Sequence, residues 1–567
     1  MDRVASRAAV VRGAAVGLLL ALGVYTAHAF SFRHYVNDDA YITFRYSRFL
    51  WQGLGPYYNA GEHVEGYTNF LLMLLMVPVL ALGGEAALPT AAKVVGVIGG
   101  ALSLLLAFWL VLVLKDGRGL SLESVLAGTV AAGLVSVSPA FAVNSVSGLE
   151  TTLFGACVTA GVFLAALGAR RDRWCGSGLA FAAAVLTRPE GPLVFAVHWV
   201  VQAASQPAAT ARLARVLVRP RAWRQMREDG TASRLALDAA LVTGVFLVHV
   251  AFRRLAYDGE WLPNTYHAKA GGFWAIGAWQ YVADGILSPL GGVLGVAAAL
   301  AGLVLGRALP RRALPAVAVA VAGAALPFVV GTDWMLGQRL LMPFVPLAAV
   351  VVAIGWWGLV TWMIAKPAWA GPALGLVVVL LLWFVQSPAR AAYLHDTAIR
   401  ARGYHEGHEE LARWLCRDAT RPRDTVALMD IGIVGYRCID RTILDITGLT
   451  DRFIAKSPGM FLDKRYDVRY ILDRRPSVVI VVLWQPGDPD RPMRSVRLAP
   501  WTRVEGLLLE SPEFRRWYRS ASRPPAPGEP WLDALANGIG AAQVFLHAYP
   551  GRYYLLAAFR RIEAPNP

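Results

Sequence analysis

Two adjacent carboxylates, Asp38 and Asp39, come directly after the first apolar run of the chain. A carboxylate can act as a general base that removes a proton from a hydroxyl group, and its pKa can rise near a low-dielectric boundary. The same acids could simply cap the helix predicted to begin near Ala40. Because Arg45 and Arg48 follow in that helix, the stretch favours a catalytic pair, although the residue types do not decide which acid is the base.

Five basic residues stand in otherwise weakly charged motifs and could bind a phosphate group, which needs fixed positive charge. They are Arg45, Arg188, His267, Lys269 and Arg339. Some of them also have a structural explanation, since Arg188 could anchor a helical hairpin at a membrane interface.

A third set offers carboxylates, amides and aromatic rings that could bind a sugar. It consists of Glu65, Tyr67, Glu150, Asn264, Tyr266, Asp333 and Trp334. Aromatic residues also collect at membrane interfaces, and an acid such as Glu150 is stabilised at a helix N-terminus, so each residue also has a structural interpretation.

His405 and His408, with Glu406 and Glu409, are spaced like metal ligands on a helix. They lie in a polar segment after the last apolar run, so we expect a solvated helix surface there. No metal and no other cofactor is predicted, although a divalent cation near the acid pair is left open. The sequence has no CxxC, HExxH, Walker or GxGxxG motif in a suitable context.

The composition indicates a membrane protein. Of the 567 residues, 56% are hydrophobic and only 17% are charged, and apolar runs close to the roughly 20 residues that cross a bilayer recur along the first two thirds. The net charge of +16 arises largely from arginines in short loops, where it sets orientation. Nucleic acid is therefore not an expected partner.

The apolar runs predict about eleven spans, with the N-terminus in the cytoplasm and the C-terminus outside. The first helix, which ends near Phe32, is expected to stay uncleaved. A short run at about 69–82 is predicted to lie in the interface, inside a first outer loop of about 33–88. The other predicted spans lie at about 89–114, 121–139, 151–169, the two arms of a hairpin at 176–204, 235–252, 285–306, 313–330, 340–363 and 369–387.

In this layout the motifs rich in chemistry all face the outside, whereas the cytoplasmic loops contain mainly arginines. A solute carrier usually places its polar groups near the middle of the membrane. One polar face instead favours catalysis at the membrane surface.

The chain is predicted to divide into a membrane domain, 1–388, and a polar outer domain, 389–567. The apolar runs Val478–Trp484 and Tyr553–Phe559 are predicted strands with helices between them, so the outer domain is expected to be α/β. Cys416 and Cys438 could pair there if that domain is outside the cytoplasm.

Five motifs together resemble a known family of membrane enzymes. They are Asp38–Tyr46, Gly61–Phe70, Ser147–Thr151, Leu186–Gly191 and Asp445–Asp451. The first is similar to the opening motif of GT-C glycosyltransferases, and the set resembles the AftB family of terminal arabinofuranosyltransferases from actinobacterial cell walls, over about residues 30–455.

The resemblance implies a GT-C membrane core in the bacterial inner membrane and an outer, periplasmic C-terminal domain that holds the glycan acceptor. It implies a polyprenyl-phosphate sugar donor, typically decaprenyl-phospho-arabinofuranose, with Asp38 or Asp39 as the catalytic base. Such a donor fits the residues, because its lipid tail stays in the bilayer while its head group reaches a site at the surface.

Two alternatives stay open at this point. The enzyme could use another sugar, or a protein or lipid acceptor. The chain could instead transport a lipid-linked sugar, although a transporter would be expected to show internal repeats, and none is visible.

Overall fold

The structure is a computed structural model that describes residues 2–115, 121–218, 229–269, 275–333, 335–365, 388–486, 499–520, 543–549 and 552–562. The chain forms two compact units, each built from three separate stretches. Unit 1 contains Met1–Arg33, Ala92–His249 and Phe273–His395, and unit 2 contains His34–Ala91, Val250–Gly272 and Asp396–Pro567. This grouping differs from the contiguous domains 1–388 and 389–567 expected from the sequence, because residues 34–91 and 250–272 join the C-terminal part.

The described part of unit 1 is helical. Its helices, some of which extend into unit 2, are α1 (Asp2–Ser31), α4 (Leu88–Lys115), α5 (Leu122–Ser136), α6 (Pro139–Ser145), α7 (Thr151–Arg171), α8 (Ser177–Thr187), α9 (Gly191–Ala204), α10 (Pro207–Val218), α11 (Gly230–Ala256), α13 (Ala275–Val282), α14 (Gly292–Leu305), α15 (Leu314–Val330), α16 (Val345–Ile364) and the start of α17 (Pro388–Trp414). Short 3-10 or π turns join several of them, such as Ala283–Leu287 before α14.

Within the described residues, six helices of 20 to 31 residues are long and apolar enough to cross a membrane, or up to eight spans if each of two bent helix pairs counts as one. A span needs about 20 residues because each residue rises about 1.5 Å. The hairpin arms α8 and α9 are shorter, and the predicted span at 369–387 lies outside the described residues. The structure therefore supports a membrane protein with several spans, while the count of eleven stays a prediction.

Glycines allow α14 and α16 to pack backbone against backbone. A Cβ atom on Gly302 would lie 1.8 Å from the carbonyl oxygen of Gly355, and one on Gly355 would lie 2.4 Å from the carbonyl oxygen of Ala299. Lipid-facing helices gain little from burying apolar surface against each other, so this close approach is an important source of their association.

Unit 2 is built around a seven-stranded mixed sheet. Its strands are β1 (Thr425–Leu428), β2 (Thr442–Asp445), β3 (Val478–Pro486), β4 (Ala499–Pro500), β5 (Tyr518–Ser520), β6 (Gln543–Tyr549) and β7 (Arg552–Arg561). The order is β2-β1-β3-β7-β5, with β4 paired to β3 and β6 paired to β7. β1 runs parallel to β2 and β3, whereas β3 and β7 are antiparallel, with Val479 opposite Phe559.

The strand prediction for Val478–Trp484 and Tyr553–Phe559 is confirmed, since these runs form the centres of β3 and β7. The side chains of Val478 to Leu483 are at most 1% exposed, as expected for a central strand covered on both faces. Cys416 and Cys438, whose pairing the sequence left open, form a disulfide bond in this unit.

The remaining helices belong to unit 2. They are α2 (Asp38–Trp51), α3 (Phe70–Gly83), α12 (Asn264–Lys269), the rest of α17, α18 (Ile431–Arg437), α19 (Arg452–Lys456), α20 (Arg469–Leu472), α21 (Arg503–Glu510) and α22 (Pro512–Trp517). α18 connects β1 to its parallel neighbour β2. The 14 residues of α3 agree with a segment too short to span a bilayer.

Replacing Gly302 by Val should loosen the α14–α16 pair, because the added side chain overlaps backbone atoms. We expect the overpacking to cost about 1–3 kcal/mol and to lower the thermal unfolding midpoint of the full chain in detergent. Gly244→Val is the matched control, since among the described residues no atom lies within 4 Å of the Cβ position at this glycine of α11. Equal midpoints for the two variants would contradict the packing argument.

Candidate active site

Asp38 lies at the start of α2 and binds the start of a second helix. Its Oδ2 accepts a hydrogen bond from the backbone N–H of Gly432 at 2.9 Å, and its Oδ1 accepts one from Ile433 at 2.8 Å. These are among the first N–H groups of α18, which have no partner inside their own helix. The carboxylate of Asp38 therefore caps α18 from another part of the chain.

Two glycines make this close contact sterically feasible. A Cβ on Gly432 would lie 2.0 Å from the carbonyl oxygen of Asp38, and a Cβ on Gly435 would lie 1.9 Å from the Tyr58 hydroxyl. Residues three apart share one face of a helix. The glycine face of α18 thus fits against the segment that carries the acid pair.

A buried histidine and a second aspartate lie next to Asp38. The Nε2 of His408 is 3.1 Å from Oδ2 of Asp430, and its Nδ1 is 2.9 Å from the carbonyl oxygen of Tyr404. The hydroxyl of Tyr554 donates to the same Asp430 oxygen at 2.6 Å. Both neighbours of the imidazole are acceptors, so this geometry suits the doubly protonated ring.

The expectation of a solvated helix surface at His405, Glu406, His408 and Glu409 was wrong for His408, whereas Glu406 is exposed as expected. The His408 side chain is completely buried, and Nε2 of His405 is 2.8 Å from the Tyr41 hydroxyl. The polar composition of α17 concealed a face that packs on the sheet of unit 2. Among the described residues, no group of three or more His, Cys, Asp or Glu is arranged to hold a metal ion.

These neighbours set the ionisation of Asp38. Burial raises the pKa of Asp38 to about 6, helped by the charges of Asp430 and Asp39 and opposed by His408 and by the Ile433 N–H. Burial would lower the pKa of His408, but its hydrogen bond to Asp430 and the charges of Asp430 and Asp38 outweigh that effect, so the pKa is raised. Asp38 is thus a carboxylate that changes charge close to neutral pH, beside an imidazolium.

Arg45 holds the opposite end of α18. Its buried guanidinium donates to the carbonyl oxygens of Tyr58, Gly435, Cys438 and Arg441 and to Oδ1 of Asn59. Asp38 and Arg45 are seven residues apart on α2, which is two turns or about 10.5 Å, the same length as the seven-residue α18. The negative residue thus meets the N-terminus of α18 and the positive residue its C-terminus, as the helix dipole favours.

Arg45 is therefore committed to the fold. Its N–H groups donate to carbonyl oxygens, and its side chain is not exposed. We therefore no longer count Arg45 among the phosphate ligands suggested by the sequence.

Other predicted residues of unit 2 are also buried in polar contacts. Glu65 pairs with Arg253, whose Nη2 lies 3.3 Å from Oε1. The Tyr67 and Tyr257 hydroxyls are 3.1 Å apart. The Nδ2 of Asn264 donates to the carbonyl oxygens of Gly448, Leu449 and Asp451.

The end of α12 differs, because it is more open and carries two basic residues, His267 and Lys269. Tyr266 is 55% exposed. Partial burial lowers the pKa of His267, and the nearby charges of Lys456 and Lys464 lower it further. The Nζ of Lys269 lies 5.5 Å from the centre of the Phe461 ring.

Unit 1 brings together residues from three of the predicted motifs. Nη1 of Arg188 is 2.9 Å from Oε1 of Glu150, and Nη2 is 3.0 Å from Oε1 of Glu190. Nε of Arg339 is 2.8 Å from Oδ2 of Asp333, and its charge also acts on Arg188 and Glu190. These five groups therefore form one charged cluster. Trp334, the remaining predicted residue, lies outside the described residues.

Several residues of these clusters were not predicted from the sequence, namely Asp430, Tyr554, Arg253 and Glu190. Asp430 carried a usable signal, because it follows β1, and the carboxyl ends of parallel strands commonly carry functional groups. Tyr554 and Arg253 carried none, since only the folded chain brings them to their partners.

Residues 394–555 match a domain of unknown function, DUF8728. No curated protein matches the chain. Among solved structures, the crystal structure of ArnT from Cupriavidus metallidurans bound to undecaprenyl phosphate is similar, with a TM-score of 0.50, 14% sequence identity, and coverage of 96% of this chain and 97% of that chain. The chain has a GT-C fold.

The apo form of ArnT from the same organism gives a TM-score of 0.49 at 15% identity, covering 86% of this chain and 96% of that chain. At such identity the likeness concerns the fold alone. The likeness to the structure bound to undecaprenyl phosphate agrees with the GT-C level of the sequence prediction, while the AftB-like assignment stays a prediction.

Replacing Gly432 by Ala should disrupt the contact between Asp38 and α18. The new methyl group would overlap the Asp38 carbonyl oxygen, so α2 and α18 must separate and the two N–H bonds to the carboxylate must lengthen. We expect a loss of about 1–3 kcal/mol, measured as a lower thermal unfolding midpoint. Gly506→Ala is the control, because its Cβ would meet its nearest neighbour, Pro500, at 3.8 Å; the argument fails if both variants unfold at the wild-type temperature.

Proposed function

We propose that the protein is a glycosyltransferase that takes a sugar from a polyprenyl-phosphate donor and transfers it to a glycan on the outer face of the bacterial inner membrane. The observation that carries the proposal is the Asp38 carboxylate, held at the start of α18 beside the His408–Asp430 pair in a chain with a GT-C fold. The likeness to ArnT, whose structure contains undecaprenyl phosphate, supports a lipid phosphate as the leaving group.

In the proposed reaction Asp38 removes the proton of an acceptor hydroxyl. The hydroxyl oxygen then bonds to the anomeric carbon of the donor sugar, the bond from that carbon to the phosphate oxygen breaks, and the lipid phosphate leaves with the bonding electrons. A pKa of about 6 keeps Asp38 ionised at neutral pH but still basic. Asp39 is the second candidate for the base.

Fixed cations must stabilise the phosphate as it leaves. Lys269 suits this role as a cation at the end of α12. His267, whose pKa is lowered, stays in the proposal as a hydrogen-bond donor to the phosphate. Arg188 and Arg339 stay in the proposal, but each is paired with a carboxylate and would have to exchange that partner for the phosphate. The proposed sugar-binding residues remain Glu65, Tyr67, Glu150, Asn264, Tyr266, Asp333 and Trp334. Of these, Glu65, Tyr67 and Asn264 are buried, so they would act by holding neighbouring residues in place.

Arabinofuranose is the donor sugar we propose, because five motifs of the sequence resemble those of the AftB family. The arrangement of the active-site groups does not require this sugar, so the assay must include a second prenyl-phosphate sugar.

Transfer by the purified full chain should depend on the acid pair. With prenyl-phospho-arabinofuranose and a short arabinan acceptor, we expect Asp38→Asn to reduce the rate by at least about 100-fold, as for loss of a general base. Product formation is followed by mass spectrometry, and its linkage by NMR shows whether the anomeric centre inverts. Asp39→Asn is the comparison, and Asp473→Asn, an exposed acid of unit 2, is the control.

The results separate the parts of the proposal. A large loss only in Asp39→Asn would transfer the role of base to Asp39. Transfer only from another prenyl-phosphate sugar would exclude arabinofuranose and keep the enzyme class. Wild-type rates in both acid variants would refute the proposed site.

The rate of transfer should also fall on acidification with an inflection near pH 6, because protonated Asp38 cannot accept a proton. His408→Gln should move this inflection to higher pH. The variant removes the positive charge that lowers the pKa of Asp38, while Asp39 and Asp430 still raise it. The measurement is a pH–rate profile of each variant.

His405→Gln serves as the control for this profile. His405 lies one turn from His408 on α17 and is not among the groups that most affect the pKa of Asp38. The pH–rate profile of His405→Gln should therefore have the same inflection as that of the wild type. An unshifted inflection in His408→Gln would contradict the electrostatic role assigned to His408.

A further inference from the structure

Unit 2 contains an open cleft of about 1050 Å³ that the proposed chemistry does not use. One wall is the edge strand β2, and the other is formed largely by residues between Thr450 and Arg474. The outer backbone edge of β2 is covered, since the side-chain amide of Asn59 bonds both the N–H and the carbonyl of Ile443. The cleft is therefore not a free sheet edge ready to pair with another strand.

A three-layer stack provides the main flat surface of the cleft. The rings of Phe453 and Tyr470 are 4.2 Å apart with an interplanar angle of 20°, and the guanidinium of Arg474 lies 3.5 Å from the centre of the Tyr470 ring. Two groups this close to one ring must lie on opposite faces of it. Phe453 is 52% exposed, so its ring presents apolar surface to the cleft.

This stack is held rigidly from within the unit. The Tyr470 hydroxyl donates to the carboxylate of Asp451 at 2.8 Å, and the same carboxylate caps α19 through the N–H of Ile454. The surface offered by Phe453 thus exists before any ligand arrives, which reduces the entropy lost on binding.

The charges of the lining are balanced, in contrast to the net charge of +16 for the whole chain. Four acids line the cleft, and so do four arginine or lysine residues. Several of these cations already have partners: Arg452 lies 3.3 Å from Asp258, and Lys456 lies 2.5 Å from Glu260. A phosphate or a nucleic acid would therefore find little net attraction here.

Polar groups surround the aromatic surface. The hydroxyls of Thr425, Thr442 and Ser457 belong to partly exposed lining residues, and Glu62 and Arg465 add an exposed acceptor and an exposed donor. A ring face flanked by hydroxyls, a carboxylate and a guanidinium matches a sugar, which has a C–H face and a rim of hydroxyl groups.

We propose that this cleft binds a neutral oligosaccharide, the chain of the glycan acceptor, away from the sugar that reacts. The inference rests on the proposed function, which it deepens by assigning the acceptor a second contact in unit 2. Phe453 is the central contact, and the volume of the cleft accommodates several sugar residues.

The test is direct binding of a synthetic hexa-arabinofuranoside, an α-1,6-linked mannohexaose and inorganic pyrophosphate to the full chain in detergent, without donor, by calorimetry. We expect at least one oligosaccharide to bind, and Phe453→Ala to weaken it roughly tenfold, while Phe453→Tyr stays within about threefold. The control is Trp261→Ala, an aromatic residue of unit 2 that is 64% exposed, has Arg254 stacked on it and is not part of the cleft lining.

Absence of binding by both oligosaccharides, equal loss in Phe453→Ala and Trp261→Ala, or tighter binding of pyrophosphate than of the sugars would overturn the inference. Because no donor is present, the result is independent of the transfer assay. Binding without transfer would reject the proposed function alone, and transfer with unchanged acceptor affinity in Phe453→Ala would reject the cleft alone.

Discussion

Unit 2 depends on the match between α2 and α18: the distance between the charged residues Asp38 and Arg45 on α2 equals the length of α18. α2 presents Asp38 and Arg45 two turns apart, and α18 is just long enough to place its N-terminus at the acid and its C-terminus at the guanidinium. Buried charges are costly unless every donor and acceptor is satisfied. Here the unpaired backbone groups at both ends of a short helix satisfy them, and the glycines of α18 make the approach close enough.

This arrangement connects the sheet of unit 2 to the ionisation of Asp38. Along the chain, α18 follows β1 and precedes β2, so Asp38 contacts the helix that connects these two parallel strands. Asp430 follows the same strand and holds His408, which in turn limits how far burial raises the pKa of Asp38. The ionisation of one carboxylate therefore depends on α2, α17, β1 and β7, and any of these elements can alter it.

The sequence predicted the features that repeat along the chain. Apolar runs identified helices such as α4 and α16, and the Val-rich run identified β3, because burial of these segments follows their own composition. The acid pair was found because adjacent charges after an apolar run are unusual. The grouping of residues 34–91 with the C-terminal part was not found, since contacts across hundreds of residues leave no periodic signal.

Individual roles were harder to predict for the same reason. Arg45 appeared as a cation for phosphate and proved to be a ligand of backbone carbonyls, a role that depends on segments some 390 residues away. His408 appeared solvated, because the polar residues around it on α17 conceal one buried face. The residue type indicates which interactions a side chain can make. The groups that surround it in the folded chain determine which of these interactions it does make.

The contact between Asp38 and Gly432 joins residues 394 positions apart, and this has a consequence for biosynthesis. At about 5–20 residues per second, roughly 20–80 seconds separate the synthesis of the acid pair from the synthesis of the helix that it caps. During that interval the first helices are already made, while Asp38 and Arg45 lack the backbone groups that satisfy them. The contact that positions Asp38 therefore cannot form until residue 433 has been synthesised, so any product that ends before α18 lacks this capped carboxylate.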